Sequence, residues 1–155
     1  MSQGKTGINS LKSGSRKNKM EAFEKTLVVQ PDDLDDLNHV NNVRYVQWIQ
    51  DISKEHWQHL TSKEIQERFI WVVLNHNITY KSAAGLGDVI LLKTFIENSK
   101  GAISTRVVEM YNAATNALLV HSETTWCLLN PETLKPIRIS EEIRSIFADV
   151  TRNPS

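Results

Sequence analysis

Between Val43 and Leu60 the polar and apolar positions repeat with the period of a helix. At about 100° per residue, Tyr45, Val46, Trp48, Ile49, Ile52, Trp57 and Leu60 share one half of the wheel. Arg44, Gln47, Gln50, Asp51, Lys54, Glu55 and Gln58 fill most of the other. At ~1.5 Å per residue such a helix is about 27 Å long, enough to cross a small domain. Two tryptophans on its apolar side call for a broad packing partner, and His56 falls in the same arc. Ahead of the helix, Phe23, Thr26, Val28 and Val29 predict a short strand ended by Pro31, which cannot donate a ladder hydrogen bond. Behind it, Ser62–Arg68 reads as a short helix or turn capped by Ser62.

After Phe69 the texture becomes that of strands. Phe69–Tyr80, Leu86–Asn98, Ala102–Asn112 and Ala117–Leu129 are rich in Val, Ile, Thr and aromatic residues, with short Gly-, Ser-, Ala- and Asn-containing breaks between them. The expectation is an antiparallel meander of four strands. In the third, Ile103, Thr105, Val107, Glu109 and Tyr111 alternate with Ser104, Arg106, Val108 and Met110, so neither face is purely polar and the sheet should be covered on one side and in contact on the other. Ser140–Val150 predicts a closing helix capped by Ser140. A helix apolar on one face, followed by antiparallel strands, predicts an α+β fold in which the sheet encloses the helix.

Composition limits the reading. At 155 residues one domain is expected, over residues 20–150, with a tail at 151–155. Residues 1–19 carry Lys5, Lys12, Arg16, Lys17, Lys19 and no acid, a basic leader expected to be disordered; a start at Met20 or a transit peptide are other readings. The remainder holds 13 basic and 18 acidic residues, which speaks against nucleic acid as a ligand. No apolar run approaches the ~20 residues needed to span a bilayer, so no membrane role is expected. A lone Cys127 without zinc-type spacing fits a reducing, cytoplasmic setting, and on its apolar strand it reads as a small buried residue.

The chemistry concentrates just before the long helix. From Asp33 to Asn42 three acids, a histidine and three asparagines lead into a helix N-terminus, whose free backbone N–H groups favour developing negative charge. Asn41 or Asn42 is placed as N-cap. Asp32, Asp33 and Asp36 read as solvated. Lys81, Lys100 and Arg106 could touch a phosphate, although a surface role is the default for each. His56 and His59 share a helical spacing without a carboxylate partner, so no metal site is expected.

The stretch Leu34–Asp35–x3–His39–Val40–Asn41–Asn42–Val43–x–Tyr45–x2–Trp48 closely resembles the signature of hotdog-fold thioesterases, the 4-hydroxybenzoyl-CoA thioesterase type and their relatives acting on acyl-acyl-carrier-protein. Ile78–Asp88 and Thr125–Pro136 resemble later parts of that family, so the likeness spans about residues 22–147. It implies a hotdog fold, a long central helix wrapped by an antiparallel sheet, in homodimers or homotetramers with the active site at the dimer interface. It implies hydrolysis of acyl thioesters in fatty acid metabolism, most simply acyl-CoA, with acyl-ACP as the alternative and no cofactor. Asp35 would be nucleophile or general base, the backbone at Asn42 would polarise the thioester carbonyl, and His39 would take part in catalysis. Asn41 and the otherwise core-facing Tyr45 would contact substrate. The carrier-protein branch has an asparagine two residues after the aspartate; here that position is Leu37, so the Asp/Asn/His arrangement is not carried over. A non-catalytic acyl-CoA-binding module and an enoyl-CoA hydratase-like enzyme are the other readings, although the hydratase spacing Asp–x4–His is not met by Asp35 and His39.

Overall fold

The structure is a computed structural model and describes residues 22–148; the expected leader, the tail and the last two residues of the closing helix lie outside that range. Among the described residues five strands and three helices follow one another as β1 (Phe23–Val28), α1 (Asn42–Leu60), α2 (Lys63–Glu67), β2 (Ile70–Tyr80), β3 (Val89–Lys100), β4 (Ile103–Asn112), β5 (Leu118–Leu129) and α3 (Glu141–Ala148). A 3-10 turn over Pro31–Asp33 separates β1 from α1. The strands form one antiparallel sheet in the order β1-β3-β4-β5-β2.

The expected four-strand meander is therefore corrected. Only β3, β4 and β5 follow one another across the sheet, while β2 pairs with β5 at the far edge. Loop length explains it. Two residues, Gly101 and Ala102, join β3 to β4, with Gly101 at φ +63°, a conformation that favours glycine. Lys81–Asp88 is too long for such a turn and instead crosses the end of the sheet. It is tied down by Lys81 N–H to Leu119 O at 2.7 Å, Val40 N–H to Ala84 O at 3.0 Å and Val29 N–H to Asp88 O at 2.9 Å.

The helix lies where its pattern demands. Tyr45, Trp48, Ile49 and Ile52 pack on Ile90, Leu92, Val108, Met110 and Val120 of the sheet. A second cluster joins Trp57 to Leu128, Ile139 and Ile143, so α3 closes the C-terminal half of α1. Burial of each large apolar side chain is worth about 1.5–3 kcal/mol, which is what fixes the helix against one face of the sheet. In β4 the face toward the helix is Ser104, Arg106, Val108 and Met110, all buried. Arg106 is thus an interior residue, not the surface cation expected. Cys127 is buried, as its strand position predicts.

Candidate active site

The acidic turn is built by local hydrogen bonds. Asp35 N–H donates to His39 O at 2.7 Å, and Asn38 N–H to Asp35 O at 3.0 Å, closing a loop in which Asn38 takes a left-handed φ of 64°. Asparagine tolerates that region better than most residues. The Asp35 side chain points back into its own loop, with Oδ1 accepting from Leu37 N–H at 2.9 Å and His39 N–H at 3.1 Å. Oδ2 has no partner among the described residues. Leu37 is 74% exposed, so its position serves the site through its backbone amide alone.

Asp33 corrects the expectation of a solvated acid. It is 8% exposed, ion-paired with Arg44 Nε at 2.9 Å, and accepts Gln30 N–H at 2.8 Å. Arg44 also donates to Asp32 O at 3.2 Å, and Asn41 N–H to Asp33 O at 2.8 Å. These bonds clamp the turn to the first turn of α1 and so fix where Asp35 stands relative to the helix.

The helix start then leaves one amide over. Asn41 is the N-cap, its Oδ1 accepting from Val43 N–H at 2.9 Å. Its carbonyl takes Arg44 N–H at 2.9 Å and Tyr45 N–H at 3.4 Å. Asn42 N–H has no partner among the described residues. That donor sits at the positive end of a 19-residue helix dipole.

Asp35, His39, Asn42 and Tyr45 line one cleft of about 300 Å³, closed on the far side by Tyr80, Lys81, Ser82 and Ala83. The structure thus gathers four of the five candidates. Asn41 does not line the cleft; its side chain is engaged as the cap. Tyr45 is buried with its hydroxyl unbonded, and burial raises its pKa above the usual value. The Ala84 backbone draws that value the other way without reaching hydrogen-bonding geometry. Tyr80 and Ser82 were missed from sequence, because only the crossing of Lys81–Asp88 over the sheet end brings them to the helix. The one signal was the length of that loop.

A family model of the acyl-ACP thioesterase N-terminal domain matches residues 20–147. The chain belongs to this thioesterase family. Its fold is the hotdog fold, shared with the probable thioesterase YbaW from Escherichia coli at 20% identity and TM-score 0.71, over 79% of this chain and 94% of that one. Slr0204, a 1,4-dihydroxy-2-naphthoyl-CoA thioesterase from Synechocystis, superposes with TM-score 0.74 at 16% identity over 86% of this chain and all of that one. The 12:0-ACP thioesterase from Umbellularia californica gives 0.70 at 17% identity, covering 80% of this chain and 48% of that one. A sequence search of curated proteins gives no match. No described helix of this family member is long and apolar enough to cross a membrane.

Proposed function

We propose that the chain hydrolyses acyl-CoA thioesters in the cleft at the N-terminus of α1. The observation that carries this is that one cleft is lined both by Asp35, whose Oδ2 has no partner among the described residues, and by Asn42, whose helix N-terminal amide has none either. Asp35 takes a proton from water as it adds to the thioester carbonyl, and the oxygen that becomes anionic is held by the Asn42 amide and the helix dipole. Collapse breaks the carbon–sulfur bond, and the leaving thiolate is protonated by Asp35 or by His39. The net change is one water consumed, one carboxylic acid and one thiol formed. Lys81, on the opposite wall, offers a cation to a coenzyme A phosphate.

Coenzyme A as carrier is supported by the likeness to Slr0204, a 1,4-dihydroxy-2-naphthoyl-CoA thioesterase, and to a Staphylococcus aureus protein solved in complex with CoA. The family match itself favours acyl-ACP as the second reading. Assay of the protein on a panel of acyl-CoA and acyl-ACP thioesters, alongside Asp35→Ala, decides both points. Loss of a general base is expected to lower turnover ~10²–10⁴-fold. A folded Asp35→Ala protein with full turnover removes the assignment, and preference for acyl-ACP removes the carrier choice alone.

A further inference from the structure

A second and larger cavity, about 390 Å³, lies between the C-terminal half of α1, strands β2 to β5 and Phe147 of α3. It shares no residue with the cleft at Asp35. Along α1, Asn42 and Trp57 are ~22 Å apart at the helical rise, so the two lie toward opposite ends of the helix. The walls are aromatic, with Trp57, Trp71, Trp126 and Phe147 among them, and no aspartate or glutamate lines them.

Arg106 is set in this wall at 3% exposure. Its Nη1 donates to His56 Nδ1 and to Thr94 Oγ1, each at 2.9 Å. Neither partner supplies a countercharge. Thr94 is neutral, and burial together with the Arg106 charge keeps the His56 ring neutral, its pKa down to about 3. Nε and Nη2 carry no hydrogen bond, and no carboxylate pairs with Arg106, among the described residues. Two further donors of the same wall, Trp71 Nε1 and Trp126 Nε1, are buried without an acceptor. The Phe147 ring, 5.7 Å from the guanidinium carbon, offsets part of the burial, but a buried cation with unengaged donors and no counter-ion remains costly.

We infer that this cavity binds a small aromatic monocarboxylate, its carboxylate on Arg106 and its ring against the tryptophans. The free Nε–Nη2 edge of a guanidinium matches the two oxygens of a planar carboxylate, and Lys54 in the same wall adds a second positive charge. Arg106, Trp71 and Trp126 each leave a donor unspent in a wall that also holds Lys54 and the amides of Gln50, Gln58 and Gln66, and its aromatic rings suit a flat apolar body. The volume falls at the low end of the ~300–1,000 Å³ usual for small-molecule sites. The inference stands apart from thioester hydrolysis, since it uses none of the residues of the Asp35 cleft.

Indole N–H signals in heteronuclear NMR spectra of the full chain test it, with Trp71 and Trp126 assigned through Trp→Phe variants. The probes are benzoate and 2-naphthoate against their amides, benzamide and 2-naphthamide. Saturable movement of the Trp71 and Trp126 signals is expected with the acids, at least tenfold tighter than with the amides. Arg106→Met should weaken acid binding at least tenfold without lowering Tm, and Asp35→Asn should leave it unchanged. Equal binding of acid and amide overturns the inference, as does a shift confined to Trp48 beside the Asp35 cleft or no saturable shift at all. Should Arg106→Met fail to fold, the acid–amide comparison on the unaltered protein still decides.

Discussion

Asp33 and Asp35 stand two residues apart in the same acidic turn and do different work. Asp33 spends both oxygens, on Arg44 and on the Gln30 amide, whereas Asp35, which lines the cleft, spends only Oδ1 among the described residues. Nothing in the residue type separates them; the clamp to Arg44 does. A similar contrast of partners governs His56, whose ring stacks on Phe23 at 5.0 Å between centroids and faces Arg106, with His59 one turn along α1 also raising the local positive potential. Its pKa falls from 6.5 to about 3, chiefly by burial and then by Arg106 and His59. An unfolded chain therefore binds a proton between those values that the folded chain refuses. That contribution to stability is present above pH 6.5 and is lost as pH falls toward 3. Between pH 7 and pH 5 the loss is about 2 kcal/mol. Urea titrations across that range should show it, and His56→Gln, which keeps an acceptor for Arg106 but no titrating ring, should flatten the slope even if it lowers stability throughout. An unchanged slope in the variant places the pH response elsewhere, His76 being the next group whose burial lowers its pKa.

At the scale of an element, the start of α1 offers a substitution that removes one hydrogen and little else. Asn42 is the first helical residue, where proline is favoured because its missing N–H has no intrahelical partner. Asn41 already holds φ −68° and ψ 138°, the extended geometry a following proline requires. Asn42→Pro should therefore fold with an unaltered melting temperature and lose about 10²–10³ in kcat, the usual effect of deleting one oxyanion donor. Asn42→Ala, which keeps the amide, should retain most activity; equal loss in both variants would give the role to the side chain. This element was also the most legible part of the sequence. The 3.6-residue period of Tyr45, Trp48, Ile49 and Ile52 is enforced by burial against the sheet, and the Asn41 cap by the orphan amides of the first turn. Strand positions were legible for the same reason, their edges marked by Gly101 and by the Asn112–Asn116 turn. What could not be read was long-range. The place of β2 beside β5, the interior position of Arg106 and the closure of the cleft by Tyr80 and Ser82 all depend on which strand lies next to which, and periodicity within a segment carries no record of that.

For the whole molecule, the two edges of the sheet, unpaired among the described residues, are unequal. β1 is six residues long and carries Glu24 and Lys25, charges that discourage further pairing. β2 is eleven residues long, Ile70–Tyr80, without a charged residue or proline, and exposes Leu74 at its bulge. A long uncharged edge of this kind is suited to pairing with another strand, and a second copy of β2 is the partner supported by the thioesterase resemblance. β2 ends at Tyr80, in the wall of the Asp35 cleft, so pairing along it would bring the partner's edge close to the proposed chemistry. Sedimentation equilibrium of the unaltered protein should give a dimer or a multiple of it at micromolar concentration. Leu74→Lys with Asn77→Lys puts like charges along the edge and should shift the protein toward monomer while the far-ultraviolet spectrum stays unchanged. If the cleft depends on the pairing, turnover per chain should fall with dissociation and return as protein concentration is raised. A monomer of full activity, before or after the substitutions, would detach the cleft from the edge and leave catalysis to a single chain.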